Sequence, residues 1–327
     1  LIKKLFFLAL LAVIAAGTGF GYWAKQPITT AEPAIPFTIT PGSSGGAAAQ
    51  QIANAGVPIN HFLFQMLARA TRKSGKIKAG SYELEPFTTP LRLLDKLVKG
   101  EFAQGSLTVI EGWTFKQMRA AINAAPALKH DTANLSDAEL LAKVAPDYKV
   151  PEGLFFPDTY LYPKGSSDLE IYKSAHTALL NRLNAAWAKR DPNLPYKTPY
   201  EALTMASIVE KETGQKNERG MIAGVFVNRL KIGMLLQTDP TVIYGMGDKY
   251  DGKIRKKDLE TDTPYNTYTR VGLPPSPISL PGVQSLAAAL SPAKTDALYF
   301  VSRGDGTSQF SGNLNDHNKA VNQYQRQ

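Results

Sequence analysis

Hydrophobic and polar positions follow three different rhythms along the 327-residue chain. The first is a run with no charge in it, from Leu5 through Ala24, made of Leu, Phe, Ala, Val and Ile with a closing Tyr22-Trp23. About 20 such residues are enough for a helix to span a bilayer. Lys3 and Lys4 precede the run and favour a cytoplasmic amino end, while Tyr22 and Trp23 suit the opposite interface. Ala15, Ala16 and Gly17 would fit a signal-peptide cleavage site. The aromatic residues continue the span beyond them, so an uncleaved signal anchor over residues 1–24 is the preferred reading, with everything after it exported.

The second rhythm mixes periods of two and 3.6. Residues 25–36, with Pro27, Pro33 and Pro36, read as an extended linker. Phe37-Thr38-Ile39 alternates like a strand, and Ser43 or Ser44 after the Pro41-Gly42 turn caps a helix over 47–55. A second helix is predicted over 62–70, a returning strand bent at Gly80 over 77–84, and a helix over 91–99 closed by Gly100. A new unit opens with a strand at 107–110 and a Thr114-capped helix over 115–122. A Ser136-capped helix over 137–144 follows, then a long amphipathic helix over 171–189 stopped by Asp191-Pro192. Short helices, strands and Pro-rich loops complete it. There is no regular βαβ alternation, so the fold class is α+β. The predicted domains are 1–24 (anchor), 25–36 (linker), 37–105 (small module) and 106–327 (larger mixed α+β domain).

The third rhythm is the apolar helix after Pro199-Tyr200, ending Ser207-Ile208-Val209-Glu210-Lys211-Glu212-Thr213-Gly214. At about 100° per residue its apolar stripe centres near Ala202, Ala206 and Val209. Glu210 falls on one flank of that stripe and Glu212 on the other, so the two cannot act as a facing acid–base pair. A carboxyl at the rim of a buried stripe has its proton affinity raised by desolvation, as a general acid requires. Helix geometry alone does not choose between Glu210 and Glu212.

Composition narrows the chemistry. Lys and Arg number 37 against 28 Asp and Glu, a net charge of +9 that suits an anionic surface or polymer. The export signal argues against nucleic acid as that polymer. With no Cys and only four scattered His residues, neither a thiolate nor a His-rich metal site is expected, and no cofactor. The loops at 233–245 and 263–278 are dense in amides, hydroxyls and aromatic rings, side chains suited to carbohydrate.

Two resemblances sharpen this. Strand, Ser-capped helix, helix and a strand entered through Ala79-Gly80-Ser81-Tyr82 resemble the LysM-like modules that bind N-acetylglucosamine polymers; a structural spacer is the alternative. More extensively, the chain resembles the YceG-like family of endolytic murein transglycosylases. The resemblance rests on Glu152 through Tyr160, Ala206 through Thr213, Asn228 through Gly245, Pro264 through Pro277, Ala297 through Val301, and Asp316-His317-Asn318, all in the family's order. It implies an anchor, a LysM-like module and a catalytic domain outside the cytoplasm, at the bacterial cytoplasmic membrane. It also implies a lyase that cleaves the MurNAc–GlcNAc bond of nascent glycan strands, leaves a 1,6-anhydroMurNAc end and terminates elongation. Peptidoglycan strands are the implied substrate and peptidoglycan synthases the implied protein neighbours.

The resemblance, not periodicity, selects Glu210 as the catalytic acid. Because the muramic C6 hydroxyl is an internal nucleophile, a single acid suffices. Gln237, Asp239, Tyr265, Asn266 and Tyr268 are the candidates for sugar binding, while Glu152 and Asp158 are read as loop ties. Ser308 stands where the family often has His, and Ser276 where it more often has Gly. The alternatives are a muramidase that uses water and a non-catalytic wall-binding scaffold.

Overall fold

The computed structural model describes residues 2–30, 32–212, 215 and 217–325; Thr213 and Gly214, which close the motif string, lie outside them. Two compact units emerge: Leu1–Gly105 with Leu161–Ser166, and Ser106–Tyr160 with Ser167–Gln327.

The first unit opens with α1 (Ile2–Lys25), a helix long and apolar enough to cross a membrane. Its last turns are not bare. Phe20 and Trp23, their rings stacked 5.6 Å apart, pack with Ala24 against the unit's core. The strand β1 (Ile35–Ile39) buries alternate residues and pairs antiparallel with β2 (Gly80–Leu84), Phe37 opposite Tyr82. It begins at Ile35, ahead of the predicted Phe37, because Pro36 occupies an outward-facing position on a strand with one open edge. Between the strands lie α2 (Gly45–Asn54) and α3 (His61–Ala70). Ser44 accepts from the Ala47 N–H at 3.2 Å and Asn60 from the Leu63 N–H at 3.1 Å, which satisfies amides that the helices themselves leave open. Then α4 (Pro90–Lys99) starts on a Thr89 cap with Pro90 in its first turn and stops at Gly100, φ 75°. Gly80 adopts φ 149°, and a Cβ there would come 2.4 Å from the Phe102 ring. No distinct LysM module is identified; one core joins β1, β2 and α2–α4 to the end of α1. The architecture is mixed α+β behind an amino-terminal apolar helix.

The strands β3 (Gln104–Thr108) and β4 (Thr159–Pro163) lie where the chain passes between units. The second unit holds α5 (Phe115–Asn123), α6 (Asp137–Val144) and α7 (Leu169–Ala188), the first two begun by full capping boxes at Thr114/Gln117 and Ser136/Glu139. Next come α8 (Pro199–Glu212), α9 (Arg219–Lys231), α10 (Asp239–Met246), α11 (Lys256–Glu260) and α12 (Val283–Leu290). A hairpin of β5 (Tyr299–Ser302) and β6 (Ser308–Ser311) and the helix α13 (Leu314–Tyr324) finish the unit.

The motif helix α8 is its centre, packed on α12, α9 and α7. Every residue from Ala202 to Val209 is buried, Thr204 and Ser207 included. The predicted one-sided stripe is therefore a helix covered all round, and its polar residues are spent inside. Thr204 and Ser207 donate back to the Tyr200 and Thr204 carbonyls. Ser207 Oγ also accepts the Ile278 N–H at 2.9 Å, and its carbonyl accepts from Ser279 Oγ at 3.1 Å. The Pro-rich loop is thereby tied to α8.

Replacing Ser207 with Ala should strand the buried Ile278 amide, at a cost of about 1–3 kcal/mol. Hydrogen exchange at Ile278 is the direct readout: protection should fall in the variant, and unchanged protection would show that the loop is held by other contacts.

Candidate active site

The end of α8 presents two carboxylates to two different surroundings. Glu210 is an anchor by its contacts. Its Oε1 accepts from Arg219 Nη2 at 3.0 Å and its Oε2 from the Gly282 N–H at 2.8 Å. The two side chains are 5% and 7% exposed, and Arg219 Nη1 continues to Gln284 Oε1 at 2.7 Å. One carboxylate thus ties the end of α8 to the first turns of both α9 and α12. Pairs of this kind are costly to break, because either partner alone is a buried charge.

Glu212, by contrast, faces a cavity of about 980 Å³. Its Oε2 accepts from Thr238 Oγ1 at 2.6 Å. Burial pushes its pKa up and the nearby Asp239 charge adds to that, while the Thr238 hydroxyl and the Arg229 guanidinium act the other way. The same cavity is lined by Gln237, Asp239, Tyr268, Arg229, Tyr299 and His317. The Tyr268 hydroxyl donates to Asp239 Oδ1 at 2.6 Å, and burial together with that carboxylate keeps the phenol protonated. Gln237 sits at φ 50°, a strained conformation for a side chain with a Cβ. Its N–H bonds the Thr267 carbonyl at 3.0 Å. Arg229 holds the turn just before it, donating to the Leu235 and Leu236 carbonyls at 3.2 and 2.8 Å and to Leu298 at 2.6 Å.

His317 stacks on Tyr299 with ring centroids 5.1 Å apart, and the Arg229 guanidinium lies 5.2 Å from the Tyr299 ring centre. Burial and the Arg229 charge push the His317 pKa down, which favours the neutral imidazole. Its Nδ1 is buried without a hydrogen-bond partner. Ser308 lines the same cavity and gives both its N–H and its hydroxyl to the Glu218 carboxylate, each at 2.8 Å.

Of the five candidate sugar-binding residues, the cavity brings together Gln237, Asp239 and Tyr268. Tyr265 and Asn266 are employed elsewhere. The Tyr265 hydroxyl bonds Ser276 Oγ at 2.7 Å. Asn266 is 1% exposed and donates to the Leu259 and Thr261 carbonyls at 2.9 and 2.7 Å while accepting the Tyr268 N–H at 2.8 Å. It organises the loop that carries Tyr268. Arg229, Tyr299 and His317 lie inside quoted motif strings, yet no local pattern marks them as one wall. Arg229 reaches Tyr299 across 70 residues of sequence, and His317 stacks on Tyr299 from 18 residues further on.

Glu152 is a third unusual carboxyl. It accepts the Phe115 N–H at 3.0 Å at the start of α5 and also bonds Tyr244, and burial pushes its pKa up to about 7. Asp158 makes a longer contact with Arg182, 3.5 Å.

The second unit is thus an α+β fold whose central buried helix delivers an acid to a polar, aromatic-walled cleft. The YceG-like family model matches residues 37–323, and the chain belongs to the YceG-like family. Over 307 residues it is 34% identical to the endolytic murein transglycosylase of Bacillus subtilis, covering 89% of this chain and 84% of that protein. It is 29% identical over 357 residues to the endolytic murein transglycosylase of Streptococcus pneumoniae serotype 2, covering 96% of this chain but 64% of that longer protein. A crystal structure of a YceG-like protein from Listeria monocytogenes superposes with a TM-score of 0.56 at 34% identity, covering 88% of this chain and 98% of that one.

The position of Glu152 sets a pH dependence. Its folded-state pKa of about 7 exceeds the ordinary 4.5, so the folded protein holds the proton more tightly than the unfolded chain. Its contribution is fully present below pH 4.5 and is lost as the pH rises through about 7. The total is at most about 3 kcal/mol. Glu152→Gln should flatten that part of the stability–pH curve in denaturant titrations; curves that stay parallel would contradict it.

Proposed function

We propose that this chain is an endolytic lytic transglycosylase of the bacterial cell wall. In this reading it cleaves the MurNAc–GlcNAc bond within glycan strands and leaves a 1,6-anhydroMurNAc end. The observation that carries the proposal is Glu212, a carboxyl with a raised pKa at a cleft walled by Gln237, Asp239 and Tyr268. Family resemblance pointed to Glu210. Both oxygens of Glu210 are already engaged by Arg219 and Gly282, and Glu210 is not among the residues lining the cleft, so we assign the acid role to Glu212 instead.

Protonated Glu212 donates to the bridging oxygen as the bond to C1 breaks, and the N-acetylglucosamine portion leaves as an alcohol. The muramic sugar gains oxocarbenium character. Its C6 oxygen then bonds C1, and the C6 hydroxyl proton passes to the Glu212 carboxylate, which restores the acid. Asp239 and Tyr268 hydrogen-bond the sugar at this point, and Gln237 offers its amide. The cleft's aromatic rings stack on sugar faces.

With α1 as a span of the cytoplasmic membrane and the remainder outside, the cleft works where strands are being made. Cutting there terminates elongation and brings the enzyme beside peptidoglycan synthases. A second reading, hydrolysis by water, is favoured by one feature: Asp239 beside Glu212 supplies the second carboxylate such a reaction uses.

Mass spectra of the products from purified glycan strands separate the two, since the anhydro product is lighter by one water. Glu212→Gln should lower turnover by roughly 10²-fold or more. Glu210→Gln should keep turnover per folded molecule while losing about 3–5 kcal/mol of stability, because it leaves the Arg219 charge buried and unpaired. Full activity in Glu212→Gln, or a catalytic loss without destabilisation in Glu210→Gln, would reverse the assignment.

The Thr238 hydroxyl favours ionised Glu212. Removing it in Thr238→Val should raise the acid's pKa further and move the alkaline limb of kcat to higher pH. A limb that stays in place would show that another group sets it.

A further inference from the structure

Phe87 has the highest exposure of any large hydrophobic side chain among the described residues, 85%. Its backbone sits at φ 62°, the left-handed region, where a residue with a Cβ is disfavoured by roughly 1–2 kcal/mol and glycine is not. Neither packing nor backbone preference explains an aromatic residue there. The turn that carries it is pinned rather than loose. The Thr88 N–H bonds the Glu85 carbonyl at 3.3 Å, and Thr88 is 7% exposed. Thr89 next caps α4 by accepting the Arg92 N–H at 3.1 Å.

The location of the turn points to its partner. The Thr88 carbonyl accepts the Ile28 N–H at 2.9 Å, three residues beyond the last residue of α1. The charge-free run Leu5 through Ala24 gives a helix of about 30 Å, the thickness of a bilayer's hydrocarbon core. Its final turns, Phe20 to Ala24, therefore lie at the outer boundary of that core. These are the turns packed on the first unit, and Tyr22, 68% exposed, stands among them. The surface of the unit next to Ile28 is thus held at headgroup depth.

From this we infer that the turn at residues 85–88 rests in the outer headgroup layer and that Phe87 inserts at the boundary with the acyl chains, a second attachment beside α1. It rests on the reading of α1 as a membrane span. The contact is chiefly apolar. Charges on and beside the turn are paired within the unit, Lys96 with Glu85 at 2.8 Å and Arg92 with Glu101 at 2.6 Å. Zwitterionic lipid is therefore a sufficient partner. An aromatic side chain at this depth resists rocking of the unit about the single helix, which explains why a strained backbone keeps Phe in place of Gly.

The chain has no Cys, so one introduced thiol can be labelled uniquely. The full chain is placed in phosphatidylcholine vesicles with an environment-sensitive fluorophore on Phe87→Cys, on Val13→Cys within α1, or on Gln50→Cys, exposed on α2. The Phe87 label should emit further to the blue than the Gln50 label. Headgroup nitroxide lipids should quench it several-fold more than the Gln50 label, and aqueous iodide several-fold less. A Phe87 label as wet and as iodide-accessible as Gln50, with the Val13 label in lipid, overturns the inference alone. A Val13 label in water overturns the span and the inference together.

Discussion

The buried contact between Glu210 and Arg219, shared with the Gly282 N–H, is the constraint on which the second unit's cleft depends. Glu210 is two residues from the last residue of α8, and that last residue is Glu212. Arg219 is the first residue of α9, and Gly282 the residue before α12. One carboxylate therefore fixes the meeting point of three helices. Both partners are almost fully covered, so neither can be left unpaired cheaply. Ser207 reinforces the junction one turn earlier by tying the Ile278 N–H and the Ser279 hydroxyl to α8.

That bracing gives two glutamates, two positions apart, opposite fates. Successive residues of a helix turn by about 100°, so a separation of two places side chains nearly back to back. The first spends both oxygens on structure. The second accepts a hydrogen bond from Thr238, is buried in a way that favours its proton, and has open space before it. A structural ion pair and a poised acid can thus share one helical turn. The strain at Gln237 belongs to the same arrangement, because Arg229 and Thr267 hold that turn against the cleft.

Much of the fold was legible locally. Ser44, Thr114 and Ser136 cap helices where the sequence placed them, because capping depends on residues three apart. The apolar run of α1 and the stop at Gly100 are equally local. The motif helix was legible as a helix but not as one buried on every side. Thr204 and Ser207 look like a solvent face, yet they close their hydrogen bonds inside the protein. The cleft was legible only in part. Gln237, Asp239 and Tyr268 follow from the chemistry of the loops. Asn266 has the same chemistry, but its amide is consumed by the Asp258 and Leu259 carbonyls of α11 and the Thr261 carbonyl just after it. Arg229, Tyr299 and His317 meet only because α9, β5 and α13 converge, which no spacing along the chain announces. The same holds for the choice between Glu210 and Glu212, decided by partners 9 and 72 residues away.

The most direct measurement is a crystal structure of the Glu212→Gln protein with a peptidoglycan-derived oligosaccharide bound. The account expects the sugar chain in the cleft beside Gln237, Asp239 and Tyr268. The bridging oxygen should lie about 2.6–3.2 Å from the side chain at position 212. A glycan bound away from this cleft, or a bridging oxygen held against Glu210 with the Arg219 pair opened, would contradict it.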